Sequence, residues 1–256
     1  MEYDGTDFSG FQYLPDQRTI AGELEAALSR LFDQPIKISA AGRTDAGVHA
    51  VGQVISFRAH GEFPVERLAI ALNSALPADV SARDAARVTD GFSARLSAME
   101  RHYTYVVLHR KEPSAVMRRF SHFEYRPLDL DCLRRAASVL VGTHDFASFC
   151  GVPPDKGGTV RTLRSLHVEQ HGDIVLLHAR ANGFLHRMVR ILVGTLLEIA
   201  SGRRSEASLP DIVTARDRRA AGSTAPPHGL FLAGVEYAEY SSERPLLEHP
   251  GFGVTV

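Results

Sequence analysis

A cation, a hydroxyl and a carboxylate sit side by side in the run Ala41-Gly-Arg-Thr-Asp-Ala-Gly-Val-His-Ala50. Arg43, Thr44 and Asp45 lie between Gly42 and Gly47, and glycine permits a sharp turn or the close approach of a ligand. A loop of this make-up offers Asp45 as a nucleophile or base beside a fixed positive charge. The same residues also suit a tight hairpin in which Asp45 bonds nearby backbone N–H groups, and from the residues alone that is the more ordinary reading. A second unusual charge is Arg190, which stands among Val189, Ile191 and Leu192. An arginine inside an apolar helix needs a partner. Tyr103 lies in a strand-like run, where a packed aromatic is an ordinary occupant. The twelve histidines are scattered and form neither HxH nor HExxH, and Cys132 and Cys150 make no CxxC. No metal site is expected from them, and Cys150 reads as incidental. His109 and His122 read as surface residues of strands or loops.

The elements that must position these groups follow from periodicity. Glu2 to Asp4 is the end of a strand. Ile20, Leu24, Ala27, Leu28 and Leu31 share a helical face, with Thr19 as N-cap. Pro35 to Ala40 and Val48 to Phe57 are two strands joined by the Asp45 loop. Val65 to Leu76 is a helix between Pro64 and Pro77, and Val80 to Val88 a closing strand. The order then recurs. Tyr103 to Leu108 is a strand, and Leu130 to Val141 a helix stopping at Gly142. Val160 to Val168 and Ile174 to Ala179 form a hairpin. Phe184 to Ser201 is a long helix, and Leu230 to Tyr237 the last strand. Residues 145–158 and 203–228 read as loops or short helices. Both halves are therefore β-α-β-β-α-β, a ferredoxin-like unit. The expected fold is α+β with two such lobes, 1–98 carrying the Asp45 loop and 99–256 carrying Tyr103 and Arg190, and a cleft between them.

Composition narrows the function classes. At 256 residues and 44% hydrophobic content the chain can bury one large core or two modest ones. Its longest apolar stretch, Met188 to Ala200, is interrupted by Arg190 and Glu198, so no membrane span is expected. A polar start and two cysteines fit a reduced, cytoplasmic setting. The net charge of −1 is uninformative, but its distribution is not. Residues 180–220 hold eight arginines against four acids, and residues 101–140 hold eight Arg and Lys against four acids, whereas the tail from Glu236 is acidic. Segregated positive charge suits a phosphate-binding face, and a set of ordinary solvated faces equally well. Three lysines against twenty-six arginines do not hinder RNA binding, since Arg forks onto phosphates and stacks on bases.

Six blocks, in order, carry a resemblance. These are Glu2-Tyr-Asp-Gly-Thr-Asp-Phe-Ser-Gly-Phe-Gln12, the Asp45 run, Arg101-His-Tyr-Thr-Tyr105, Gly142-Thr-His-Asp-Phe-Ala-Ser-Phe149, Asn182-Gly-Phe-Leu-His-Arg-Met-Val-Arg190, and Thr224-Ala-Pro-Pro-His-Gly-Leu-Phe-Leu232. Together they resemble the TruA-type tRNA pseudouridine synthases over nearly the whole chain. The resemblance implies the pseudouridine synthase fold and conversion of uridine to pseudouridine at positions 38, 39 and 40 of the tRNA anticodon stem-loop. It implies Asp45 as nucleophile, Tyr103 against the uracil, Arg190 as the partner of the aspartate, and Leu230 as an apolar wall for the base. Arg43 would enter the RNA stack as the base flips out. It further implies a homodimer, and no cofactor, since the isomerisation gains and loses no group. The competing classes are an RNA-binding protein without catalysis and a metal-dependent hydrolase; only the latter should fail with a chelator. Two departures stand out. Phe11 occupies a position where relatives often carry Trp, and the first strand is short, from which the expectation is that Met1 is not the natural start or that residues were trimmed.

Overall fold

Thr19 takes extended backbone angles, and its Oγ1 accepts from Gly22 N at 3.2 Å, starting helix α1 over Ile20–Phe32. Ile20, Leu24, Ala27 and Leu28 of that helix are buried. The expected cap and apolar stripe are both present. The computed structural model describes residues 1–244 and Leu246, and among these the chain forms two compact units. One is Met1–Met99 with the described residues from Phe231 on; the other is Glu100–Leu230.

In the first unit the strand β1 (Glu2–Tyr3) pairs antiparallel with β5 (Val80–Ser81) on one side and β3 (His49–Ala50) on the other. A short ladder joins β2 (Ile38–Ala40) to β4 (Ile55–Phe57). Helix α2, Val65–Asn73, starts after Pro64 as expected. Ala27, Leu28, Ile36, Leu72 and Ala82 form a core, with Phe32, Ile38, Ile55 and Phe57 packed against it.

Two expected strands are shorter than their patterns. The run Val48 to Phe57 breaks into β3 and β4, because Val51 N and Gly52 N both donate to Leu232 O, at 3.0 and 3.1 Å, and the ladder bulges. The closing strand ends at Ser81 rather than Val88. There the Asn73 side chain takes over, accepting from Ala82 N at 2.6 Å and donating to Ala82 O at 2.8 Å. Strand β11, Leu230–Glu236, pairs parallel with β3, setting Phe231 opposite His49 and Leu232 opposite Ala50. The described residues after Leu230 therefore group with the first unit, whereas the sequence division at 98/99 assigns them to the second lobe. Glu248 of the acidic tail lies outside the described residues.

The second unit holds the antiparallel run of β6 (Glu100–His109), β10 (Ile174–Ala181), β9 (Val160–His171) and β8 (Gly142–Asp145). Strand β7, His122–Glu124, pairs parallel with the end of β6, so His122 lies in a strand and is partly buried. Helix α3, Leu130–Val139, is capped by Asp129, whose Oδ1 accepts from Asp131 N and Cys132 N. Helix α4, Met188–Ala200, begins four residues later than expected, because Arg187 takes a left-handed conformation at φ 58°. Of its thirteen residues all but Arg190 and Glu198 are buried. The stretch read as loops or short helices contains helix α5, Leu209–Ala215. Strands β7 and β8 have no counterpart in the periodicity, because three or four residues are too few to show alternation.

Candidate active site

The Asp45 loop is held by neighbours as well as by its own turn. Its flank begins at Ala41, whose N donates to Val54 O at 2.9 Å. Gln53 is buried, and its amide serves the loop with both ends. Nε2 donates to Gly42 O at 2.7 Å and to Tyr3 Oη at 3.2 Å, while Oε1 accepts from Gly42 N at 3.4 Å and Val54 N at 3.1 Å. Tyr3 Oη shares a hydrogen bond of 2.9 Å with Thr44 Oγ1. Burial pushes the Tyr3 phenol up to about 12 in spite of its bonds to Thr44 and Gln53, so it stays neutral at any physiological pH.

Thr44 is tied from the backbone side as well. Phe11 N donates to Thr44 O at 3.0 Å. The same short segment receives the first turn of α1, Ile20 N donating to Gly10 O at 3.2 Å and Ala21 N to Phe11 O at 2.8 Å. Two of the orphan donors of a helix start are thereby satisfied, and the loop is referred to the helix axis. Beyond Thr44 the chain turns, Val48 N donating to Asp45 O at 3.1 Å and Gly47 adopting φ 75°. Thr44 is buried, whereas Asp45 is partly exposed. Arg43 is exposed and donates from Nη1 to Gln12 Oε1 at 2.9 Å. His49 is buried in stacked contact with Phe231, at 4.8 Å between centroids, and its Nδ1 accepts from Gly5 N.

The second unit carries the other expected residues. Tyr103 is buried on β6, opposite Ala179, with the Phe184 ring edge-on at 5.1 Å. Arg190 lies in the first turn of α4. Its Nε donates to Ala225 O at 2.8 Å, and Ala225 N donates back to Arg190 O at 3.0 Å. The next residue, Pro226, accepts at its carbonyl from Tyr105 Oη at 2.9 Å. Burial pushes the Tyr105 phenol above its ordinary range, and the Arg190 charge only partly offsets this. A 3-10 turn over Pro227–Gly229 leads to the buried Leu230. Asp45 and Arg43 thus belong to one unit, and Tyr103, Arg190 and Leu230 to the other. Among the described residues no group of three or more His, Cys, Asp or Glu is placed to hold a metal ion, and no helix is long and apolar enough to cross a membrane.

Not every arginine of the basic stretch is available to phosphate. Arg204 is bound to Glu198 Oε2 and Ala220 O, and Arg218 to Gly222 O and Thr224 Oγ1. Arg219 is forked onto Asp217. Arg203 is exposed and donates only its Nε to Ser201 Oγ among these bonds. Tyr3, Gln53, Tyr105 and Glu198 hold the segments that carry the candidate residues, and motif reading assigns them no role. Gln53 and Glu198 do leave a trace, each being a polar residue inside an apolar run that burial obliges to find partners.

The family profile described as tRNA pseudouridine synthase matches residues 1–109 and 136–238. A protein of Halalkalibacterium halodurans named tRNA pseudouridine synthase A is 47% identical over 232 residues, 90% of this chain and 88% of that one. Proteins of the same name from Brevibacillus brevis and Moorella thermoacetica are each 44% identical, covering 93% of this chain and 97% of theirs.

Proposed function

The chain belongs to the tRNA pseudouridine synthase family, and from that premise we propose that Asp45 is its nucleophile and that its targets are uridines 38, 39 and 40 of the tRNA anticodon stem-loop. Membership makes it an isomerase acting on uridine in tRNA. In that reaction the N1–C1′ bond breaks and a C5–C1′ bond forms. The hydrogen of C5 leaves as a proton and N1 takes one up. Nothing is oxidised or reduced and no group is transferred, so the roles proposed here involve no cofactor.

The observation that carries the reading is the contrast within the loop. Thr44 is locked through its hydroxyl to Tyr3 and through its carbonyl to Phe11, while the adjacent Asp45 is partly exposed. A nucleophile needs a fixed backbone and a carboxylate that is not wholly buried, and a partly exposed residue beside a locked one suits that need. Arg190 is the guanidinium that the family resemblance assigns to that carboxylate, and its fork suits the task. Tyr103 lies against the uracil and assists removal of the C5 proton. Leu230 is the apolar wall of the base site. Arg43, exposed on the loop, fills the stack vacated when the nucleotide flips out, since a paired uridine cannot be reached inside a helix. The protein acts in the cytoplasm as a homodimer; light scattering that gives only monomer at micromolar concentration would refute the dimer. Pseudouridine mapping in tRNA incubated with the purified protein tests the whole reading. Modification at positions 38 to 40 is expected, and modification confined to other positions would overturn the assignment.

A further inference from the structure

Helix α4 presents three successive turns to one strip of chain. Arg190, Gly194 and Glu198 recur at i, i+4 and i+8, which puts them in one row along the helix. The facing strip, residues 220–226, runs antiparallel to that row. At one end Ala225 exchanges two hydrogen bonds with Arg190, through the backbone carbonyl and the side-chain Nε. In the middle a methyl group at Gly194 would collide with Ser223 O, so the bare Cα sets how closely the strip lies. Beside it Gly222 N donates to Thr195 Oγ1 at 2.9 Å. At the far end Glu198 Oε1 accepts from both Ser223 N at 2.8 Å and Ser223 Oγ at 2.9 Å.

The other oxygen of Glu198 is occupied too. Arg204 reaches Oε2 with Nε and Nη2, each at 3.1 Å, and passes Nη1 to Ala220 O at 3.0 Å. Burial would raise the Glu198 carboxyl, but the bonds from Ser223 and Arg204 outweigh it and hold the group below its ordinary range. An ionised carboxylate at this place therefore fastens the strip at both Ser223 and Ala220. The strip in turn holds the Nε of Arg190, which fixes the direction in which the rest of the guanidinium fork points.

We propose that Glu198 is a positioning residue for catalysis, aiming the Arg190 guanidinium from two turns away through the strip Gly222–Ala225. The inference rests on the reading that Arg190 serves the reaction. It assigns Glu198 no contact with the substrate. Arg218 braces the strip within itself, through Gly222 O and Thr224 Oγ1, and not to α4, so loss of the distal anchor lets the strip shift along the helix, and a displacement of about 1 Å at a reacting group costs on the order of 100-fold in rate.

Single-turnover pseudouridine formation and tRNA binding are measured for Glu198→Ala, Glu198→Gln, Arg190→Lys, Arg190→Met and the double variant Arg190→Lys/Glu198→Ala. Glu198→Ala should lose about 10-fold to 100-fold in rate with tRNA affinity within about 2-fold. Glu198→Gln keeps an acceptor for Ser223 and should recover to within about 5-fold of the parent. Lysine has no Nε–H to give Ala225 alongside a fork, so in the Arg190→Lys background Glu198→Ala should add less than about 2-fold. Should Glu198→Ala melt below the assay temperature, Ser223→Ala removes one bond only and should give about 3-fold, again absent in the Arg190→Lys background. Multiplying effects in the double variant would overturn the inference, as would Glu198→Ala at the parental rate beside an inactive Arg190→Met. Arg190→Met at the parental rate would instead remove the reading of Arg190, and the inference with it.

Discussion

The Asp45 loop and the Arg190 strip solve one problem, holding an irregular segment still, with different chemistry. Thr44 and Gly42 of the Asp45 loop are held by neutral groups, a phenol, a hydroxyl and an amide, with Tyr3, Thr44 and Gln53 all buried. Around Arg190 the distal anchors are charged and partly exposed, with Glu198 and Arg204 at 16% and 26%. Neutral networks are insensitive to salt and to pH near neutrality, but each unsatisfied member is costly because water cannot reach it. Charged anchors at a partly wet site are screened and titrate. Fixation of the Asp45 loop through these groups is thus expected to be insensitive to pH across the physiological range, and fixation of Arg190 to weaken in acid.

The Asp45 loop is most sensitive at Gly10, which has φ 98° and whose Cβ, if present, would lie 3.2 Å from both Thr44 O and Ala46 N. Gly10→Ala should lower the single-turnover rate about 100-fold by pushing the loop, with unchanged far-UV circular dichroism. A rate within a few-fold of the parent would mean the loop tolerates displacement. Gln53→Ala comes next. It leaves Gly42, Val54 and Tyr3 groups without their buried partner and should cost about 2–3 kcal/mol, read as a lower urea midpoint.

Acid titration separates the two regions. Glu198 has a folded-state pKa below its unfolded value, so its contribution is present above the ordinary carboxylate range and is lost as pH falls below it. Thermal melts taken down from neutral pH should show this loss in the parent and a shallower one in Glu198→Gln; identical slopes would remove Glu198 from the account. Tyr3→Phe is the mildest change, worth about 1 kcal/mol for the lost hydrogen bonds. It has a signature at the other end of the scale. The Tyr3 pKa is raised from 10.0 to about 12, so the parent loses stability as pH rises through that interval, and Tyr3→Phe should lose less.

Where repetition or chemistry forced a pattern, the sequence was readable. The α1 stripe with its Thr19 cap, the β9–β10 hairpin and the apolar α4 each carry several residues that agree with one another. Arg190 stands out in the sequence because a cation in an apolar helix needs a partner, and its Nε does bond Ala225 O. The break between β3 and β4 was not legible, since it depends on Leu232 accepting two bonds from far along the chain. The same holds for the early end of β5 at Asn73, and for β11, whose pairing with His49 and Ala50 returns the end of the described chain to its first unit. Tyr3 and Gln53 read as ordinary strand residues, because only the folded chain shows that they meet Thr44 and Gly42.

The central claim is that Asp45 attacks the target nucleotide, and Asp45→Asn tests it most directly. The substitution keeps size and shape but removes the charge that a carboxylate nucleophile needs. Pseudouridine formed per turnover in tRNA, measured beside tRNA affinity on the same preparation, should fall to the background of a reaction without protein while affinity stays within about 3-fold, because phosphate contacts carry most of the binding. Pseudouridine formation by Asp45→Asn at near the parental rate would contradict the account.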